Sequence, residues 1–400
     1  MSARAETSRS GWFELVLLSA AQLMLVLDVT VVNIALPDLV RDLNATPEWS
    51  GFVVVAYGVF FGGLLLVGGR LADRFGPRRV LLTGLLLFST ASLIAGLSVS
   101  LPMLLSARVA QGVGAALLSP SALASITLRF DGATRTRALA IWSAIGGIGS
   151  ALGVIVGGLL TAGPGWRWIF FINLPIGVVV LVLLPWVPAP TLCSHPTKEL
   201  LASILPLLHR PTVKGALVAM LIATGLLVGS FFLASFALQR GLGWTSLQTG
   251  VAFLPMALGT LIGAHTGGHA VGHVGSRLLA VAGFAIAALG AGLASFGGQP
   301  ILLIAGLAIA SAGIGAIFVS AGITGLSNVE QANAGTVSAL LNTAHEVGGA
   351  VAVSVLSVFA GGGVGGGFMG LAATSLVAAV AMIALVPSVK PASDATSFMH

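Results

Sequence analysis

Apolar stretches recur about every 30 residues from one end of the chain to the other, and basic residues collect in alternate gaps. A helix needs about 20 apolar residues to cross a bilayer. Twelve such runs can be read, at approximately 12–36, 50–71, 80–99, 102–127, 137–162, 168–187, 215–238, 246–268, 277–297, 300–326, 334–360 and 367–387. Hydrophobic residues make up 56% of the chain and charged ones 8%, with a mean hydropathy of +1.05, which excludes a water-soluble domain. Helices are the only sensible elements, because an unclosed sheet leaves peptide groups unsatisfied in hydrocarbon. The first run is too long for the apolar core of a cleaved signal peptide, and no small-residue cleavage site follows it, so it is expected to stay as a membrane helix. The sequence thus predicts an all-α integral membrane protein, with twelve transmembrane helices in two pseudo-symmetric six-helix bundles.

Orientation follows from the basic residues. With a cytoplasmic N-terminus, the inner side receives Arg4, Arg9, Arg70, Arg74, Arg78, Arg79, Arg129, Arg135, Arg137, Lys198, Arg210, Lys214, Arg277 and Lys390. The outer side receives only Arg41, Arg167 and Arg240, while Arg108 lies within a span. That is a strong positive-inside bias, and it gives the pI of about 10.7 a topological cause. Nucleic-acid binding needs basic residues gathered on one folded face, so none is expected. Both termini are predicted to be cytoplasmic, in a multi-pass protein of the inner (plasma) membrane. Glycine, 54 of 400 residues, is about twice its usual share, which in lipid is a signal of closely packed helices. Cys193 is the lone cysteine and can form no internal disulfide. The seven histidines are read as lacking a Cys or His partner at ligand spacing, so no metal and no cofactor are expected.

The longest hydrophilic gap divides the chain into an N-terminal bundle (1–187), a cytoplasmic linker (188–214), a C-terminal bundle (215–390) and a tail (391–400). The linker carries five prolines, with 198–208 placed along the membrane surface. The halves resemble each other: G-R-L-A-D-R-F-G-P-R-R (Gly69 to Arg79) follows span two, and G-H-A-V-G-H-V-G-S-R-L (Gly268 to Leu278) follows span eight. Gly69, Gly76 and Arg78 correspond to Gly268, Gly275 and Arg277. Two related halves point to a transporter with its site near the midplane.

Charges within hydrocarbon are costly and normally face the bundle interior for a functional reason. Asp28 lies about 12 Å from the outer end of span one, and Arg108 about 9 Å into span four from the same side. The matched depths make an ion pair or relay feasible. Glu346, roughly 18 Å into span eleven, is a candidate proton or cation site, since desolvation favours a carboxylate's protonated form and a nearby cation opposes that. His345 and His265 are weaker candidates, with satisfied polar packing as the alternative. Asn33, Gln111 and Asn342 can add hydrogen bonds to a cavity or simply link helices. Trp142, Phe171, Phe231, Phe232 and Phe253 line an apolar pocket or pack as core. Trp12, Trp49, Trp166, Trp168, Trp186 and Trp244, near span ends, read as interfacial anchors. Glu14, close to the inner surface, is expected to need no buried partner.

Several motifs together resemble the major facilitator superfamily, and within it the DHA2-type drug/proton antiporters. They are L-D-V-T-V-V-N-I-A-L-P (Leu27 to Pro37) in span one, the Gly69 to Arg79 loop, R-V-A-Q-G-V-G-A-A (Arg108 to Ala116) in span four, and W-R-W-I-F-F-I-N-L-P-I-G (Trp166 to Gly177) opening span six. The resemblance implies a latch in the loop. Asp73 would meet a neighbouring helix N-terminus in one state, where the dipole favours an anion, and Arg74, Arg78 and Arg79 would pair with acids or lipid phosphates. Gly272 replaces that Asp in the second copy, so the latch should be asymmetric. The family's antiporter motif in span five reads G-x-x-x-G-P-x-x-G-G. Here Gly149, Gly153, Gly157 and Gly158 are present and Val154 stands for the proline, which removes a bend. The group usually has fourteen spans, whereas 188–214 reads as a loop, giving the twelve-span form.

The function implied is proton-coupled efflux of hydrophobic or amphipathic small molecules, such as drugs or antibiotics, across a bacterial plasma membrane by alternating access. The partners are a small-molecule substrate, protons and the bilayer, and the resembled family implies a monomer. The alternative is a proton-coupled uptake symporter of a small metabolite. No nucleotide-binding loop of the G-x-x-x-x-G-K-[ST] kind occurs. An intramembrane enzyme needs a converging catalytic set, and His345-Glu346 lacks the second histidine of H-E-x-x-H.

Overall fold

Proline sets where many of the helices begin. It has no N–H to leave unsatisfied in a first turn, and its fixed φ suits helix entry. Pro47, Pro77, Pro102, Pro211, Pro255 and Pro300 occupy the first or second positions of their helices. The computed structural model describes residues 2–187, 200–296, 298–361 and 363–387, and among them every regular element is helical. The first half comprises α1 (Ser2–Asp42), α2 (Pro47–Phe75), α3 (Pro77–Gly96), α4 (Leu101–Arg129), α5 (Gly132–Ala162), α6 (Trp168–Phe171) and α7 (Asn173–Leu183), the last ending in a 3-10 turn, Leu184–Trp186. The second comprises α8 (Leu200–Leu208), α9 (Pro211–Phe236) with a π turn (Ala237–Gly241), α10 (Ser246–Ala252), α11 (Leu254–Ala294), α12 (Pro300–Leu326), α13 (Gln331–Leu356) and α14 (Val364–Leu385). Residues 188–199 of the expected linker, with Cys193, and the expected tail 391–400 lie outside the described residues.

Two prolines also interrupt spans. Pro175 offers no N–H to the Phe171 carbonyl, and Pro255 offers none to that of Val251. The helices break beside them, at Ile172 and Phe253. By contrast α5 runs unbroken through Val154, where a proline would have bent it.

Among the described residues, eleven helical segments are long and apolar enough to cross a bilayer. One of them, Ser246–Ala294, has 49 residues, about 74 Å of helix against a hydrocarbon core of about 30 Å. It makes two passes, because Gly275 takes φ 79° and ψ 161° and breaks the helical path. Spans eight and nine are thus joined through one residue rather than a loop, and the passes number twelve.

The internal repeat extends well beyond the loop that revealed it. Gly76 has φ 90° and ψ 135°, the counterpart of Gly275 at an offset of 199, and a positive φ of this kind is where glycine carries no steric cost. Arg78 donates to the carbonyls of Leu184 and Val187. Arg277 Nε donates to the Val386 carbonyl at 2.6 Å, and Val187 and Val386 are again 199 apart. Both arginines satisfy carbonyls left open at a helix C-terminus.

By packing, the chain divides into one unit of residues 1–198 with 245–251 and another of 199–244 with 252–400. In the first, α1 packs on α5 and α7, α4 lies against α2 and α3, and α7 rests on α3. In the second, α9 packs on α13 and α14, α12 lies against α11, and α14 rests on α11. Shifted by 199 residues, these are the same pairs. A close helix crossing repeats as well. A Cβ on Gly84 would lie 2.7 Å from the Gly114 carbonyl, and one on Gly283 would lie 2.8 Å from that of Gly313. Small residues let backbones meet at both crossings.

Candidate functional site

Within the first unit, five polar side chains from four helices meet in an otherwise apolar interior. Asp28 comes from α1, Ser92 from α3, Arg108 and Gln111 from α4, and Asn173 from the first turn of α7; all are buried. Arg108 Nη1 donates to Asp28 Oδ2. Gln111 Nε2 and Asn173 Nδ2 both donate to Asp28 Oδ1, at 3.0 and 3.1 Å. Arg108 Nη1 also reaches Gln111 Oε1 at 3.0 Å, and its Nε reaches the Val53 carbonyl on α2 at 3.1 Å. Ser92 Oγ lies 2.9 Å from Gln111 Nε2 and 3.4 Å from Asn173 Nδ2. The guanidinium stands 4.3 Å from the Tyr57 ring centroid, a cation–π contact. One carboxylate therefore receives three N–H donors, one of them charged. Protonating Asp28 requires breaking part of this set.

The helices that carry the cluster explain its placement. Gln111 follows Arg108 by three residues, so both project from one face of α4. Asp28 is held from the opposite side of α1 by the glycines of α5. A Cβ on Gly149 would lie 3.0 Å from Leu23, one on Gly153 2.7 Å from Thr30, and one on Gly157 2.9 Å from the Val31 backbone. Gly158 faces α10 instead, 2.8 Å from the Ser246 carbonyl by the same measure.

Other expected residues fall elsewhere. Asn33 is buried but donates to Val29 of its own helix at 2.9 Å, because five residues' separation turns it away from Asp28. Asn342 is exposed, and Glu346 is half-buried with no hydrogen bond or ion pair to any described residue. His345 Nδ1 lies 2.9 Å from Thr224 Oγ1, and its ring packs against Phe318. His265 is exposed rather than packed as a satisfied polar group. Its ring centroid lies 4.7 Å from that of His269, which corrects the expectation that no histidine has a partner at ligand spacing; helical register pairs residues four apart. Among the described residues, no group of three or more His, Cys, Asp or Glu converges on a metal position.

In the loop motif, Asp73, Arg74 and Arg79 are exposed, and Asp73 makes no hydrogen bond or ion pair within its own unit. Arg74 lies over the Phe75 ring, while Arg78 caps the end of span six. Gly69 is only half-buried, with Pro120 3.9 Å from an added Cβ. Two expectations need correcting. Glu14 is buried and paired with Arg129 Nε, so its depth on span one does carry a partner. Trp166 is buried, with its indole N–H on Asp42 Oδ2 at 3.0 Å beside Arg167, so it ties loop to helix rather than anchoring in the interface. Phe232 and Phe253 are fully buried, and Phe231 meets Phe253 edge-on at 4.9 Å, which is core packing.

Sequence reasoning missed Asn173 and Ser92. The signal for Asn173 was present, as a lone amide where an apolar span begins; nothing separates Ser92 from the many other serines in spans.

The profile described as Major Facilitator Superfamily matches residues 18–353. The puromycin resistance protein of Streptomyces alboniger is 32% identical over 88% of this chain and 82% of its own length. The cephamycin export protein of Amycolatopsis lactamdurans is 33% identical over 91% and 88%, and the lincomycin resistance protein of Streptomyces lincolnensis 32% over 96% and 93%. Among solved structures, a bacterial homologue of the human lysosomal transporter Spinster superposes with a TM-score of 0.80 at 17% identity, covering 95% of this chain and 98% of that one. The nucleoside transporter NupG gives 0.75 at 14%, covering 93% and 99%. These two likenesses concern the fold.

Proposed function

The chain belongs to the major facilitator superfamily of membrane transporters, and from that premise we propose that it exports hydrophobic or amphipathic small molecules, antibiotics among them, in exchange for protons. The observation that carries the reading is the buried Asp28–Arg108–Gln111–Asn173 cluster, a carboxyl group, a guanidinium and two amides sealed in the first six-helix unit. A charge so placed costs free energy and is kept for work that apolar packing cannot do. Relatives named for resistance and export favour outward movement of drugs. Polar sugars or di-acids fit poorly with a chain whose buried charge is already paired.

In the cycle we propose, a proton arriving at Asp28 releases Arg108, which then holds Gln111 and Val53 alone. The freed contacts bias the carrier between its two access states, and the bias is set by differential affinity for each state. Glu346, with no partner of its own, is the second protonation or cation-recognition point, flanked by Asn342 and by His345 on Thr224. Asp73 with Arg74 and Arg79 serves as the latch in one of those states, on a frame fixed by Gly69, Gly76 and Arg78. The Gly149, Gly153 and Gly157 stripe lets α1 and α5 move as one, while Gly158 keeps α5 close to α10. The protein works as a monomer in the plasma membrane, with both termini cytoplasmic.

Everted vesicles from a pump-deficient host test the direction. Energised vesicles should accumulate drug, and collapsing the pH gradient should release it. Uptake into right-side-out vesicles under an inward proton gradient would instead establish the symporter.

A further inference from the structure

We propose that His265 and His269 form a chelate for a late first-row divalent cation such as Cu2+, Ni2+ or Zn2+, with water completing the coordination. The two residues are four apart on α11, so their side chains stack on one face. This is the spacing at which the two histidines of H-E-x-x-H hold zinc. Their ring centroids are 4.7 Å apart, with ring planes at 77°. A metal bound about 2.1 Å from an imidazole nitrogen lies about 3.2 Å from that ring's centroid. Two rings sharing one ion with centroids 4.7 Å apart subtend an angle of about 95° at it, inside the range for square-planar, octahedral and tetrahedral ions. Imidazole χ2 is a soft torsion, so aiming both nitrogens costs little.

The surroundings favour binding. Neither imidazole makes a hydrogen bond with a described residue, so no contact must be broken, and both are exposed. Towards the other end of α11 the same exposed stripe carries Leu258 and Ile262, each more than half exposed. It turns to imidazole only over the last three turns before Gly275, where His273 follows. Imidazoles within a span normally face water or the bundle interior, not acyl chains. The packed neighbours supply no competing charge: α12 and α14 have no charged or titratable residue, α9 has only Lys214, and on α11 itself the one permanent charge is Arg277. In the first half, the equivalents of His269 and His273 at the 199-residue offset are Arg70 and Arg74. His265 stands where the first half has Leu66, so the second copy carries imidazoles, which can take a metal, where the first has an apolar residue and permanent cations.

Titration of the purified full chain, carried on a tag without histidine, with Cu2+ and Zn2+ alone tests this. One equivalent of Cu2+ should bind with an electron paramagnetic signature of two imidazole nitrogens, and more tightly than Zn2+. His265→Ala or His269→Ala should each weaken binding roughly tenfold or more, whereas His273→Ala should leave the two-nitrogen signature intact. Because imidazoles must be neutral to ligate, acidifying the unmutated protein should release the ion reversibly, a measurement that needs no variant to fold. The proposal fails if no ion binds, if binding survives in the His265→Ala/His269→Ala protein, or if the signature requires His273.

Discussion

Positions 28, 92, 108, 111 and 173 hold Asp, Ser, Arg, Gln and Asn, all buried and bonded to one another. The positions 199 residues later hold Leu227, Ala291, Leu307, Ala310 and Ala372. Around both sets the frame is the same: the glycine crossing, the positive-φ glycine and the arginine on a helix end all recur. Among the described residues, the second six-helix unit therefore closes without any buried ion pair. Since a buried ion pair adds little or nothing over apolar packing of similar volume, stability does not explain the first set. The difference supports the proposal that the cluster serves transport, while the shared glycines serve the architecture. The second half spends its own polar residues elsewhere, at His345 and Glu346, where the first half has Gly146 and Gly147.

That contrast can be broken by substitution. Arg108→Ala leaves Asp28 buried and unpaired and should cost about 3–5 kcal/mol, read as denaturant or thermal unfolding in detergent; the counterpart Leu307→Met should cost less than about 1.5 kcal/mol. Equal losses at the two positions would mean that removing Arg108 leaves no uncompensated charge at Asp28. Gly84→Val and Gly283→Val should each destabilise by about 1–3 kcal/mol through overpacking, and by similar amounts, because both crossings bring backbone within 2.8 Å of the added carbon. Arg78→Ala and Arg277→Ala should cost no more than that, about 1–3 kcal/mol at most, with Arg78 the larger since it serves two carbonyls and Arg277 one. Glu346→Gln should leave the melting temperature nearly unchanged while altering the pH dependence of export, because the side chain has no partner to lose.

The sequence makes the spans legible, because hydropathy is a local property and twelve runs need no tertiary information. It also makes Asp28 and Arg108 legible as a pair, since depth along a helix can be counted from its end. Counting depth does not say which face a residue takes against its neighbours. That is why the sequence offers Asn33 as a cavity residue although it turns back onto Val29, and leaves Asn173 unmarked although it completes the carboxylate's shell. Glu14 shows the same limit: Arg129 on α4 lies outside anything its own helix reveals. The single-residue joint at Gly275 was half visible, as a glycine matched to Gly76 but set in an expected loop.

The central claim is that Asp28 carries the coupling proton. Asp28→Asn keeps the side chain's size and an acceptor for Arg108 but cannot exchange H+. Reconstituted into proteoliposomes with an imposed pH gradient, it should fold, bind drug and equilibrate it, yet fail to concentrate it. Concentrative export at the unmutated rate would contradict the account.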